Sequence, residues 1–276
     1  MAMRKALIAA LVVGAMGLAA TTLSARDGKR VVVDGSTTVG PIAKAFAETY
    51  MAKHPDVQIS VSESGSGNGA KSLINGACDV ADMSRPMKAS ETQAARDAGI
   101  LAVEHVVAMD GMVIVVHLSN PLGAITLDQL KEIYAGTIQS WKALGGPDQP
   151  IVVISRDTNS GTYETFETLV MKGTKMSPRT EYVGSNGAIR ERVMATPAAI
   201  GYVGLAFTEG VKAIKANGIT PSAATVLDRT YPLARPLFMY TNGKPKEGTP
   251  LFDFVNMANT TEGKKIIDNV GFVPLP

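Results

Sequence analysis

Two periods of apolar residues alternate along this chain, and the alternation repeats. Arg30 to Val33 is a short β-branched run, the turn DGSTTVG (34–40) follows, and Val39, Ile42, Ala43, Phe46 and Tyr50 then recur at helical spacing. Val57 to Val61 predicts a second strand, SESGSGNGAKSLI (62–74) a second polar turn, and Ala70, Leu73, Ile74 and Ala77 a second helical stripe. The segment IVVISRDTNSGTYETFETLV (151–170) repeats the pattern a third time, with Tyr163, Phe166, Leu169 and Val170 on the helix. Strands that feed helices through Ser/Thr/Gly turns predict an α/β fold with largely parallel sheets.

Two apolar stretches are longer than the rest, His105–Leu118 and Tyr231–Thr241. Each is long enough to cross between two domains. The predicted division is one discontinuous lobe, residues 26–115 plus 235–276, and a second lobe, 116–234. KPKEG near residue 246 reads as a surface turn, because Pro and Gly bracket solvated lysines.

The first 25 residues carry Arg4 and Lys5, an Ala/Leu/Val-rich run to about Ala20, and small residues ending at Ala25. This is the pattern of a secretory signal peptide over residues 1–25, and it predicts export to the periplasm. The single cysteine, Cys78, lies far downstream, so a lipoprotein anchor and an internal disulfide are not expected; Cys78 reads as a small buried hydrophobe.

Charge then narrows the chemistry. Lys plus Arg number 27 against 25 for Asp plus Glu, and removal of Arg4 and Lys5 leaves the two balanced. Nucleic acid and anionic membrane are thereby excluded as partners held by a global basic field, so any anion must be bound locally. The means are present. A helix start offers unpaired N–H groups and a partial positive charge, and GSTT (35–38), GSG (65–67) and NSGT (159–162) each place hydroxyls and glycine at such a start. Arg85, in ADMSRPM, and Arg156, ending IVVISR, add planar forks of donors, one from each predicted lobe.

Other chemistries find less support. GSGNGAKS (65–72) lacks the Gly that a nucleotide-binding P-loop places before its lysine, since Ala70 stands there. No GxSxG elbow occurs, and His54, His105 and His117 lack zinc-ligand spacing. Neither a metal nor a cofactor is expected, and no catalytic residue is assigned.

GSTTVGPI, SGSGNGAK, ADMSRPM, SRDTNSGTYETF, SNGAI (185–189) and IGYVGLAF (200–207), in that order after a signal peptide, resemble the PstS-like periplasmic phosphate-binding proteins of the high-affinity phosphate ABC transporter. The resemblance covers essentially the whole mature chain. It implies a type II, two-lobed periplasmic binding protein fold with the ligand in the cleft. It also implies hinge closure on inorganic phosphate and delivery to membrane permease subunits by a protein acting as a monomer. By position it implies contacts from Ser36, Thr37, Thr38, Ser66, Gly67, Ser84, Arg85, Arg156, Ser160, Gly161 and Thr162, with Asn186 as a further one. Some relatives carry an aspartate that accepts the proton of hydrogen phosphate where this chain has Ser84 followed by Arg85. Asp110, a lone carboxylate in AMDGMVIVV, is expected to supply that acceptor and to pair with Arg85. The other readings are a different tetrahedral oxyanion, sulfate or a molybdate-like ion, and a secreted phosphate-ester hydrolase.

Overall fold

The computed structural model describes residues 28–276, so the expected signal peptide lies outside the described residues. The first two predicted units are β1 (Arg30–Gly35) with α1 (Gly40–Lys53) and β2 (Gln58–Ser62) with α2 (Ser66–Ile74); β3 (Val80–Met83) and α3 (Ala89–Asp97) follow. The stripe Ile42, Ala43, Phe46 and Tyr50 is the buried face of α1. In α2 the helix stops at Ile74, and Ala77 lies beyond it.

A 15-residue strand, β4 (Ala102–Val116), then leads into a second group of elements. These are β5 (Ala124–Ile125), α4 (Leu127–Ala135), β6 (Val152–Arg156), α5 (Gly161–Phe166), β7 (Glu181–Val183), α6 (Asn186–Met194), β8 (Ala199–Gly204), β9 (Lys212–Ala216) and α7 (Ala223–Leu227). The predicted third helix is α5, which continues through a widened turn to Met171. Finally β10 (Ala234–Asn242), α8 (Pro250–Asn256) and α9 (Thr261–Val270) return the chain to the first group.

The strands lie in the order β2-β1-β3-β10-β4-β8-β6-β7, with β9 beside β4 and β5. Within each group the main pairings are parallel: β1 with β2 and β3, and β6 with β7 and β8. The middle of the sheet departs from the parallel expectation. β10 runs antiparallel to β3 and β4, and β4 antiparallel to β8 and β9. The reason is that β4 leaves the first group and β10 comes back, so the two crossing strands necessarily run in opposite directions.

The change of partners along β4 is sharp: residues through Gly111 pair with β10, and Met112–Val116 pair with β8. Val107 and Ala108 join a core with α1, α8 and α9, whereas Ile114 and Val116 pack with Tyr134, Phe166 and Tyr202. Val113 and Val115 face Ile189 and Val193 of α6. Each half thus has its own apolar filling, and strands covered on both faces read as unbroken hydrophobic runs for that reason. Cys78 is buried beside Leu73 and Met83, as a small hydrophobe would be.

Candidate functional site

The three polar turns converge where the two halves meet. At the first, β1 ends in Gly35 with φ +140, where a Cβ would fall 2.2 Å from the Asp82 carbonyl oxygen, so only glycine lets the strand pass β3. Ser36 then donates its N–H to the Asp82 carbonyl (2.8 Å), while its Oγ accepts from the N–H groups of Thr38 (3.1 Å) and Val39 (3.4 Å). At the third turn Ser160 caps α5 in the same manner, accepting from the N–H groups of Thr162 (3.2 Å) and Tyr163 (3.3 Å). With their oxygens so engaged, both serine hydroxyls keep their own hydrogens for another acceptor.

Between these turns, Thr38 Oγ1 and Thr162 Oγ1 are 3.1 Å apart. Asn186 Nδ2 donates to Thr38 Oγ1 (3.0 Å) and Thr37 Oγ1 (3.3 Å), its orientation fixed by Gly204 N–H donating to Asn186 Oδ1 (3.2 Å). Arg235 Nη2 donates to Thr162 Oγ1 (3.0 Å). Each threonine oxygen therefore already accepts an N–H. One hydroxyl hydrogen spans the pair, and the other is left to donate elsewhere. The cradle presents hydrogens rather than lone pairs, which is the chemistry an oxyanion needs.

The second turn closes on the third. Gly67 donates its N–H to the Asn159 carbonyl (2.9 Å), so that amide is engaged across the junction. Ser66 Oγ lies 3.3 Å from Ser84 Oγ and accepts from Ser84 N–H (3.1 Å). Gly161 packs directly on both serines.

Arg156 is 1% exposed. Its Nε and Nη2 donate to the carbonyls of Val183 (3.3 Å) and Gly184 (2.8 Å), and Nη1 is buried without a partner. Tyr202 holds the strand end: its hydroxyl is 2.7 Å from Ser155 Oγ and accepts from Arg156 N–H (3.3 Å), and its ring stacks on Phe166 at 4.2 Å. Burial brings the Arg156 guanidinium down to about 10, against the opposing pull of the Asp157 charge, and the Arg235 charge pushes it down as well. Among the described residues no carboxylate lies within ion-pair distance of Arg156.

Asp110 and Arg235 differ from expectation. Asp110 does not pair with Arg85: its Oδ2 accepts from Arg235 Nε (3.0 Å) and Nη2 (2.9 Å), and its Oδ1 from Leu205 N–H (2.9 Å). Asp110 and Arg235 are direct register partners of β4 and β10, so the strand pairing chooses between the two arginines. Burial pushes the Asp110 carboxyl up, opposed by the Arg235 charge and the Leu205 N–H. Arg235 also donates Nη1 to the Ser84 carbonyl (3.2 Å), which ties both halves to the crossing strands.

Arg85 is engaged elsewhere. Its Nη1 and Nη2 each lie 2.7 Å from a Glu91 carboxylate oxygen, and Nε is 2.7 Å from Glu164 Oε2. The Arg85 guanidinium, expected to face the ligand, faces these two carboxylates, Glu91 on α3 and Glu164 on α5.

Residues 20–256 match the PBP superfamily domain. The phosphate-binding protein PstS of Staphylococcus saprophyticus is 35% identical over 281 residues, covering 97% of this chain and 87% of that protein. This chain belongs to the PstS-like phosphate-binding proteins. Among solved structures, a phosphate ABC transporter substrate-binding protein from Clostridium perfringens with bound phosphate superposes with a TM-score of 0.82 at 33% identity, covering 90% of this chain and 100% of that one. An ABC-type phosphate transport receptor from Vibrio cholerae gives 0.73 at 30% identity, over 89% and 100%. The fold is accordingly the mixed α/β periplasmic binding protein fold, and the PstS-like family is one of binding proteins rather than enzymes.

The three turns and Arg156, expected from the sequence, come together at the junction of the halves, and Arg235, which was not among the expected residues, joins them there. A usable signal existed, for Arg235 is a lone charge in the apolar run YPLARPLFMYT just as Asp110 is in AMDGMVIVV, and their signs are opposite. Two lone opposite charges on two crossing strands are candidates for a mutual pair.

Proposed function

We propose that this protein captures inorganic phosphate between two lobes outside the cytoplasmic membrane and delivers it, as a monomer and without a chemical step, to the permease subunits of an ABC transporter. The lobes are residues 26–115 with 235–276, and 116–234. They are hinged on β4 and β10, and the change of strand partners after Gly111 supports the first crossing. The signal peptide expected over residues 1–25 carries the chain to the periplasm. The relatives support the ligand: the Clostridium perfringens protein holds phosphate, and the Vibrio cholerae protein is a phosphate transport receptor.

The observation that carries the reading is the buried Arg156 guanidinium, which among the described residues has no ion-pair partner and an Nη1 without an acceptor. Of the two buried arginines beside the cradle, Arg235 is bonded to the buried carboxylate Asp110, whereas the Arg156 side chain has only the Val183 and Gly184 carbonyls. A buried cation without a paired counter-charge is costly, and a bound anion offsets that cost. Ser36, Thr37, Thr38, Ser66, Ser160, Gly161, Thr162 and Asn186 surround the phosphate, with Arg235 joining them. Ser84 and Gly67 brace the cradle through Ser66 and Asn159.

Calorimetric titration tests this. Wild type is expected to bind phosphate at micromolar Kd or tighter, a net of about 8 kcal/mol. Arg156→Ala is expected to weaken binding at least a hundredfold while remaining folded; equal affinity would remove Arg156 from the site. Asp110 is the acceptor for the proton of hydrogen phosphate: its Oδ1 accepts from Leu205 N–H, which leaves a lone pair, and Arg235 Nη2 joins its Oδ2 to the cradle hydroxyl of Thr162. Fully ionised sulfate has no proton to offer and would face that carboxylate with lone pairs alone. Asp110→Asn is therefore expected to narrow the preference for phosphate over sulfate, and unchanged discrimination would reject the assignment.

A further inference from the structure

Four charged side chains meet at the edge of the cleft, outside the anion cradle. Arg85, Lys88 and Glu91 come from the segment running out of β3 into α3, and Glu164 comes from α5. Arg85 and Glu91 form a bidentate pair within the first half, both distances 2.7 Å, and Arg85 also donates to the Pro86 carbonyl (2.9 Å). Glu91 in addition accepts from Lys88 N–H (2.8 Å), which fixes its carboxylate at the start of α3. The contacts across the cleft are different in kind. Arg85 Nε and Lys88 Nζ both lie 2.7 Å from the same oxygen of Glu164, Oε2, and the Arg85 approach is too far off line for a hydrogen bond. These are ion pairs between halves.

Both ends are coupled to the cradle by short chain segments. Glu164 stands two residues after Thr162, whose hydroxyl meets Thr38 and Arg235. Arg85 directly follows Ser84, whose hydroxyl meets Ser66 and whose carbonyl accepts from Arg235. Any separation of the cradle's two sides therefore separates Glu164 from Arg85 and Lys88. The side chains of Arg85 and Glu164 are 7% and 16% exposed, so this pair is largely shielded, while Lys88 is 51% exposed.

We propose that Glu164, with Arg85 and Lys88, is a charged latch whose residues position the two lobes over the bound anion and set its rate of release. The proposal rests on the reading of the cleft as the phosphate site. The residues of the latch do not touch phosphate. Glu91 neutralises Arg85 whether the cleft is open or shut, and it holds the guanidinium ready for Glu164, so little ordering cost attends closure. Within this cluster, opening breaks only the Glu164 contacts. Their loss should appear in the dissociation rate, since capture begins from the open form in which the latch is not yet made. A shielded pair beside an exposed lysine should also feel salt, though less than a fully exposed pair would.

The test is dissociation of radiolabelled phosphate chased with unlabelled phosphate, at about 20 mM and about 300 mM NaCl, where the screening length falls from roughly 20 Å to roughly 6 Å. For Glu164→Gln, release is expected to be about tenfold faster than wild type at low salt, with association changed less than twofold and the salt dependence of release flattened. Lys88→Gln is expected to speed release two- to threefold, and the double variant to exceed Glu164→Gln by little, because both remove the same contact. Wild-type release rates in Glu164→Gln would overturn the latch while leaving the phosphate site intact, and so would an effect confined to association. Failure of the wild type to bind phosphate at all would overturn the site and the latch together. Should Glu164→Gln not fold, Lys88→Gln, whose side chain is half exposed, decides the matter by the same rates.

Discussion

At Gly161 a side chain would begin 2.5 Å from Ser66 Oγ and 2.7 Å from Ser84 Oγ, distances at which the serines or the helix must shift. The clash exists only when α5 sits against the second turn, so a methyl group there should oppose closure without disturbing either half. Gly161→Ala is expected to leave the unfolding temperature of the ligand-free protein near wild type and to weaken phosphate binding tenfold or more by calorimetry. Full affinity would mean that the turns need not approach this closely to hold the anion. Residues of this kind were legible in the sequence because cap chemistry is local: Ser36 and Ser160 each bond to N–H groups two and three positions ahead. For Arg235 only the lone charge in an apolar run was legible and not the contacts, because its partners Asp110, Ser84 and Thr162 lie 125, 151 and 73 residues away. The partner of Arg85 was hidden for a related reason. Its bond to Glu91 is near in sequence, but nothing local distinguishes an arginine facing a carboxylate from one facing a ligand.

Among the elements, β3 holds a group that the cradle does not use. Asp82 is fully buried with both carboxylate oxygens unpartnered, and burial, with the nearby charges of Asp34 and Glu63, pushes its carboxyl well above the usual range. The folded protein thus keeps the proton over a pH range in which the unfolded chain releases it. Stability is therefore lost as pH rises above the ordinary carboxylate pKa toward the raised one, at up to about 1.4 kcal/mol per pH unit from this group. Asp82→Asn removes the titration, so its stability relative to wild type should grow between pH 5 and pH 8, measured by denaturant unfolding at each pH. A constant difference would show that Asp82 does not change its proton affinity on folding. The elements themselves were the most readable feature, since the expected runs at 30–33, 57–61 and 151–156 each lie on or within a residue or so of strands β1, β2 and β6. What periodicity could not give was direction: buried runs look alike whether parallel or antiparallel, and β4 and β10 were identifiable only by their length.

For the whole molecule, the balance of charge and the site have to be reconciled. A chain with nearly equal acids and bases attracts anions weakly at long range, so its affinity must come from the desolvated interior of the cleft. Arg156 and Arg235, 1% and 4% exposed, lie beyond the reach of most salt screening. Phosphate that binds the closed form and not the unfolded chain stabilises it by mass action, by about 4 kcal/mol at a thousandfold excess over Kd. For a chain of this size that is a rise of roughly 10 °C in unfolding temperature. The rise should survive about 0.5 M NaCl with only the latch's share lost, because Glu164 and Lys88 are the groups within reach of added ions. Duplex DNA and heparin should produce no rise, having no way into a cleft that shuts on a tetrahedral ion. Thermal melts with phosphate, sulfate and heparin at low and high salt separate these outcomes. A phosphate shift that collapses with salt as a heparin shift does would place the binding on the surface, and the buried arginines would then need another partner.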